Sequence, residues 1–125
     1  MREILFRGKR TDNGEWVCGF IVKMFGTYHI IDKDDENTAY GVIPETIGQY
    51  TGLKDKNSKR IFEGDIAKGH NMLHPSRIVY EVAYDEDGFY LYDKKGTSWH
   101  PTHIDDIEII GNIHDNPELL EGGNQ

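Results

Sequence analysis

The residues that come nearest to a reactive set are His100-Pro101-Thr102-His103, with Asp105 and Asp106 just beyond. Two imidazoles and a carboxylate are a donor set for zinc or another transition metal. Yet the chain holds a single Cys, and Pro101 fixes a local turn without setting a ligand geometry. Histidines beside acids on a solvated surface are the plainer reading. His70 and His74 would share a face only on a helix, and Asn71 to Pro75 reads as loop. Glu63 and Asp65 sit at i and i+2, a spacing that points both carboxylates to one side of a strand and so permits acid–base work. No nucleophile or oxyanion donor accompanies them, and Glu-Gly-Asp is ordinary turn chemistry. Cys18 alternates with Trp16 and Phe20, which makes it a small buried hydrophobe rather than an activated thiol. Gly48 and Gly52 lack the Lys-Ser/Thr that a phosphate loop needs. No catalytic residue, metal site or cofactor is assigned.

Binding is the better expectation. Alternation cannot put Tyr80, Tyr84, Phe89, Tyr90, Tyr92 and Trp99 all inside. Tyr90, Tyr92 and Trp99, if exposed, would anchor a protein partner or stack on bases. Gln49, Tyr50 and Thr51 are polar groups between two glycines, in a run too irregular for a plain strand. They read either as a buried connector between two β units or as a binding loop.

Charge narrows the partner. The 125 residues carry 22 acids against 14 Lys and Arg, a formal net charge of -8. Residues 1–80 hold 12 Lys/Arg and 11 Asp/Glu, whereas residues 81–125 hold 2 and 11. The last third would repel a polyanion and suits solubility or a basic partner. The basic islands Arg2 to Arg10 and Lys54 to Lys68 leave direct nucleic-acid contact as the alternative. A mean hydropathy of -0.65 leaves no stretch fit to span a bilayer, and the N-terminal apolar run is too short for a signal peptide. One cysteine excludes an intrachain disulfide framework, so a reducing, cytoplasmic setting is expected.

The elements that must position these groups read as strands. Glu15 to Met24 puts Trp16, Cys18, Phe20, Val22 and Met24 on one face, expected to be the buried one. Asn13-Gly14 signals a hairpin ahead of it. Short strands follow at Tyr28 to Asp32 and Ala39 to Ile43, stopped by Pro44. Pro44 opens a turn, then a brief extended piece leads to a polar turn at Asp55 to Ser58. Beyond it, Arg60 to Lys68 kinks at Glu63-Gly64-Asp65, and Ser76 to Tyr84 alternates Ile78, Tyr80, Val82 and Tyr84 against Val79, Glu81 and Ala83. Further strands are expected at Phe89 to Tyr92, Thr97 to His100 and Ile107 to Ile113. Asn116 and Pro117 start at most a turn or two of helix over Glu118 to Glu121, and Gly122 to Gln125 should fray.

Arg2-Glu3-Ile4-Leu5-Phe6-Arg7-Gly8-Lys9 and Gly14-Glu15-Trp16-Val17-Cys18-Gly19 resemble the opening of the YopX family of phage and prophage proteins. The run from Val42 to Asp55 is similar to that family's most distinctive signature and continues into Arg60 to Ile66. Glu108 to Leu120 is similar to its closing motif, while Gly69 to Ser76 finds no match. The resemblance implies a small all-β protein encoded by a mobile element. It brings no activity and no catalytic residues. The second half also looks like an SH3-like barrel, a likeness of fold only. The expected architecture is therefore all-β: an N-terminal β meander packed on a small SH3-like barrel, with a short C-terminal helical turn. Residues 1–57 would form the first subdomain with the central connector, and 58–125 the barrel and tail. The expected function is a non-enzymatic protein-interaction module, binding a host or phage protein and possible as a homo-oligomer through paired edge strands. A weak nucleic-acid-binding module using the Lys54–Lys68 island and exposed tyrosines is the alternative.

Overall fold

A computed structural model describes residues 4–85 and 88–121. Arg2 of the first basic island, Glu86-Asp87 of an expected turn and residues 122–125 lie outside the described residues. The chain is all-β, built as antiparallel sheets, and divides into two compact units between Gly52 and Leu53.

In the first unit, β1 (Phe6–Lys9) pairs with β2 (Trp16–Met24), β2 with β3 (Thr27–Asp32), and β3 with β4 (Ala39–Gly41). Asn13-Gly14 closes the first hairpin as expected: Gly14 takes a φ of 74° and its N–H donates to the Arg10 carbonyl at 3.0 Å. A 3-10 turn over Pro44–Thr46 reverses the chain. Its Thr46 hydroxyl donates to the Ile43 carbonyl at 2.6 Å and accepts the Lys9 N–H at 2.9 Å. The next strand, β5 (Gly48–Lys54), returns alongside β1 with Phe6 opposite Gln49, and the Tyr50 N–H donates to the Leu5 carbonyl. Leu5, Ile30, Val42 and Tyr50 are buried here.

One expectation is reversed in β2. The Trp16, Cys18, Phe20, Val22 and Met24 face is the outer one: Phe20 is 51% exposed and no residue of that set is fully buried. The inner face is that of Val17, Gly19 and Ile21, which the register sets beside Gly8 and Ile30. A Cβ at Gly8 would crowd the Val42 and Ile30 side chains, and one at Gly19 would run into the Ile31 carbonyl of the neighbouring strand. Outside, the Arg7 guanidinium lies 4.7 Å from the Trp16 ring centre and covers part of the indole.

The second unit follows with β6 (Arg60–Phe62), β7 (Asp65–Asn71), β8 (Ile78–Asp85), β9 (Gly88–Tyr92), β10 (Ser98–Trp99), β11 (Ile104–Asn112) and the single-turn helix α1 (Glu118–Glu121). The Glu63-Gly64 kink is a turn. Gly64 has a φ of 93°, and the buried Asp65 carboxylate accepts the Phe62 N–H at 2.7 Å. One sheet runs β10-β9-β8-β7-β11. Ile61 of β6 joins Tyr80, Val82, Leu91 and Ile104 in the core of this unit, so the alternation of β8 places Tyr80 and Val82 inside, while Tyr84 of the same set is 56% exposed. The expected closed SH3-like barrel is not formed; the sheet stays open. β10 is only two residues long, and the free side of β11 is taken by the Asp55 turn. There the Lys56 N–H donates to the Ile107 carbonyl at 2.8 Å and the Ile109 N–H to Asp55 Oδ2 at 3.0 Å.

Candidate functional site

Two buried or half-buried polar side chains shape a cleft in the second unit. The first is Asn71 at the end of β7. Its amide donates to the Tyr80 hydroxyl at 2.7 Å and its Oδ1 accepts the Leu73 N–H at 2.8 Å, which sets the start of the connection to β8. Burial pushes the Tyr80 phenol up, the Asn71 bond offsets part of that, and the Asp93 charge adds to the rise. Arg77 pins the other end of the connection, donating to the Asp106 carbonyl at 3.1 Å and to Glu108 at 3.3 Å.

The second is Asp93, just after β9. Oδ1 accepts the Lys95 and Thr97 N–H groups, each at 3.0 Å, and Oδ2 accepts the Trp99 indole N–H at 3.2 Å. One carboxylate thus builds the β9–β10 turn and fixes the indole. Between the two walls lies a cleft of about 500 Å³, within the size range of ligand pockets. Trp99 and Ile78, both packed on the core, form its apolar part, with Leu73 at one side and Lys94 and Lys95 at the other. Leu73 is 74% exposed and Met72 84%, a pair of large apolar residues held out on a loop.

Asp93→Ala removes three acceptor contacts at once. It should lower stability by about 2 kcal/mol and shift the Trp99 emission, both readable in a urea titration followed by fluorescence with Trp16 replaced by Phe. An unchanged midpoint and an unchanged spectrum would show that Asp93 does not hold the indole.

The sequence-predicted residues are distributed differently from their grouping. Trp99 lies opposite Leu91 and so faces the core side, whereas Tyr90 and Tyr92 lie on the other face. Tyr92 donates to Asp85 at 3.0 Å, and this bond, with burial and the Asp85 charge, raises its phenol. Tyr90 stacks edge-on to His100, ring centres 6.2 Å apart. On that same face Glu81 has its carboxyl raised by burial. Tyr50 and Thr51 are buried on β5 and Gln49 is half-buried, so the Gly48–Gly52 run is interior structure rather than an exposed loop. The alternation missed Leu73, Lys94 and Lys95. The available signal was Met72-Leu73, two large apolar residues in a stretch with no strand pattern.

The other chemical candidates do not assemble. Among the described residues no three His, Cys, Asp or Glu side chains converge as a metal site. His100 and His103 have ring centres 6.0 Å apart, and His100 Nδ1 is engaged by Thr102 at 2.7 Å. The basic island is interleaved with acids: Lys56 lies 3.4 Å from Asp106, and Lys68 sits directly across from Glu108. No helix of the described residues is long and apolar enough to cross a membrane.

Fold and site together define an all-β protein of two units, the second of which carries an apolar cleft with a cationic rim. The chain belongs to the YopX protein family, whose pattern it matches over residues 5–121. Among solved structures it is similar to protein EF1440 from Enterococcus faecalis, with 29% identity and a TM-score of 0.61 over 96% of this chain and 99% of that one. No curated protein matches it.

Proposed function

We propose that the chain is a phage- or prophage-encoded accessory protein that acts without catalysis, by docking a host or phage protein in the cytoplasm. The observation that carries this reading is the Trp99 cleft, preformed by Asn71 and Asp93 and flanked by the exposed Met72-Leu73 pair. Preorganised apolar anchors of this kind are where binding energy concentrates in protein interfaces. Self-association through edge strands has less to work with, because β4, β6 and β10 are short and β11 is covered at Ile107 and Ile109 by the Asp55–Lys56 turn.

Capture from lysates of infected host cells tests it, with the tagged full chain run beside Leu73→Asp. The wild type should retain a protein that the variant loses by about 10-fold, as for a central apolar contact. Equal retention by both would overturn the cleft reading. Binding of single- or double-stranded DNA or RNA at low salt, falling steeply as salt rises, would instead favour the Lys54–Lys68 island.

A further inference from the structure

We infer that the cleft takes a short segment of a partner chain in which an apolar side chain stands beside an aspartate or glutamate; this rests on the reading of the chain as a protein-docking module. The apolar half of the argument is the Trp99, Ile78 and Leu73 surface. The acidic half is charge. Residues 81–125 hold 2 Lys/Arg among 11 Asp/Glu, and those two, Lys94 and Lys95, both line this cleft. Both are exposed at the tip of the β9–β10 turn, and neither forms an ion pair among the described residues. The carboxylate nearest to them in sequence, Asp93, is turned inward onto three N–H groups and is occupied in holding the turn. The rim therefore offers two exposed ammonium groups in the same cleft as an indole, an arrangement complementary to a carboxylate carried next to an aliphatic or aromatic side chain. A nucleic acid would meet the same two lysines but also the acids that make up the rest of this stretch.

The test is a titration of the full-length ¹⁵N-labelled protein, reading the Trp99 indole N–H, assigned with Trp99→Phe. The probes are acetyl-Gly-Asp-Leu-Asp-Gly-amide, its counterpart with lysines in place of the aspartates, and decanoate. The acidic peptide should move the Trp99 resonance and bind about 5-fold tighter than the basic one, the scale expected for rim charges. In the double variant Lys94→Glu/Lys95→Glu the order should invert, while the unbound spectrum stays that of a folded protein. Equal binding of the two peptides, no response to the acidic one, or tighter binding of decanoate would each overturn the inference. Failure here is separable from failure of the docking role. Leu73-dependent capture with no charge preference retires the acidic segment and keeps the cleft, whereas Leu73-independent capture retires the cleft itself.

Discussion

Gly19→Ala should disrupt the first unit, costing about 3 kcal/mol or more, because the added methyl has nowhere to go. Gly19 is buried in β2 and lies opposite Asp32 of β3. A Cβ built there would fall inside the Ile31 carbonyl oxygen and lie 2.9 Å from the Lys33 N. These are backbone atoms, so no rotamer change relieves the clash. The neighbouring strand must move, and the Lys33 N–H to Cys18 carbonyl bond at 3.1 Å goes with it. The alanine gains only some tenths to about 1 kcal/mol from restricting the unfolded chain. Gly14→Ala is the control. Gly14 has a φ of 74° but no atom within 4 Å of its Cβ position, so it carries backbone strain of about 1 kcal/mol and no overlap. Each unit contains one tryptophan, Trp16 in the first and Trp99 in the second. Urea titrations in a Trp99→Phe background therefore follow the first unit. Near-identical midpoints for the Gly19 and Gly14 variants would refute the space argument.

The inner face of β2 is the opposite of the one its aromatic residues suggest. Alternation reports which residues share a side, and it grouped Trp16, Cys18, Phe20, Val22 and Met24 correctly. It does not report which side is inside. Size suggested the aromatic side, but the inner position at Gly8 is crowded by Val42 and Ile30, and Trp16 lies outside beneath Arg7 and Lys9. In β8 no such constraint operates, and Tyr80 and Val82 point inward as their bulk implies. The barrel expectation failed for a different reason. The run from Arg60 to Lys68 divides into β6 and β7 instead of forming one kinked strand, and closure depends on whether the two edge strands can meet. Asp55, 54 residues away from Ile109 in sequence, occupies the edge of β11. The cleft was legible only at Trp99. Leu73 and Lys94 come to line one cleft through the pairing of β8 with β9, in which Glu81 lies opposite Tyr92, and local pattern carries no trace of that register.

Asp55→Ala should cost about 3 kcal/mol and leave the second unit far more easily unfolded at neutral pH than in acid relative to the wild type. Asp55 is 8% exposed, and its carboxylate accepts the N–H groups of Asn57 at 2.8 Å, Lys59 at 2.9 Å and Ile109 at 3.0 Å. The first two close the 55–59 turn and the third seals β11. Alanine strands all three donors in partly buried positions, where water replaces the carboxylate poorly. The pH dependence follows from the same contacts. Burial works to raise the Asp55 carboxyl, but the bonds from Ile109, Lys59 and Asn57, helped by the Lys59 charge, outweigh it and hold the group below the ordinary aspartate range. A depressed folded-state pKa stabilises the fold above the unfolded value, near pH 4, and that increment drains away as pH falls through the lowered folded value. Wild type should thus lose stability below about pH 4 while Asp55→Ala has no such increment to lose, so the two unfolding free energies converge in acid. Urea titrations at pH 7 and pH 3, followed by Trp99 in a Trp16→Phe background, give the comparison. A gap that is the same at both pH values would mean that Asp55 acts through shape alone, and a gap that widens in acid would reverse the sign assigned to its contacts.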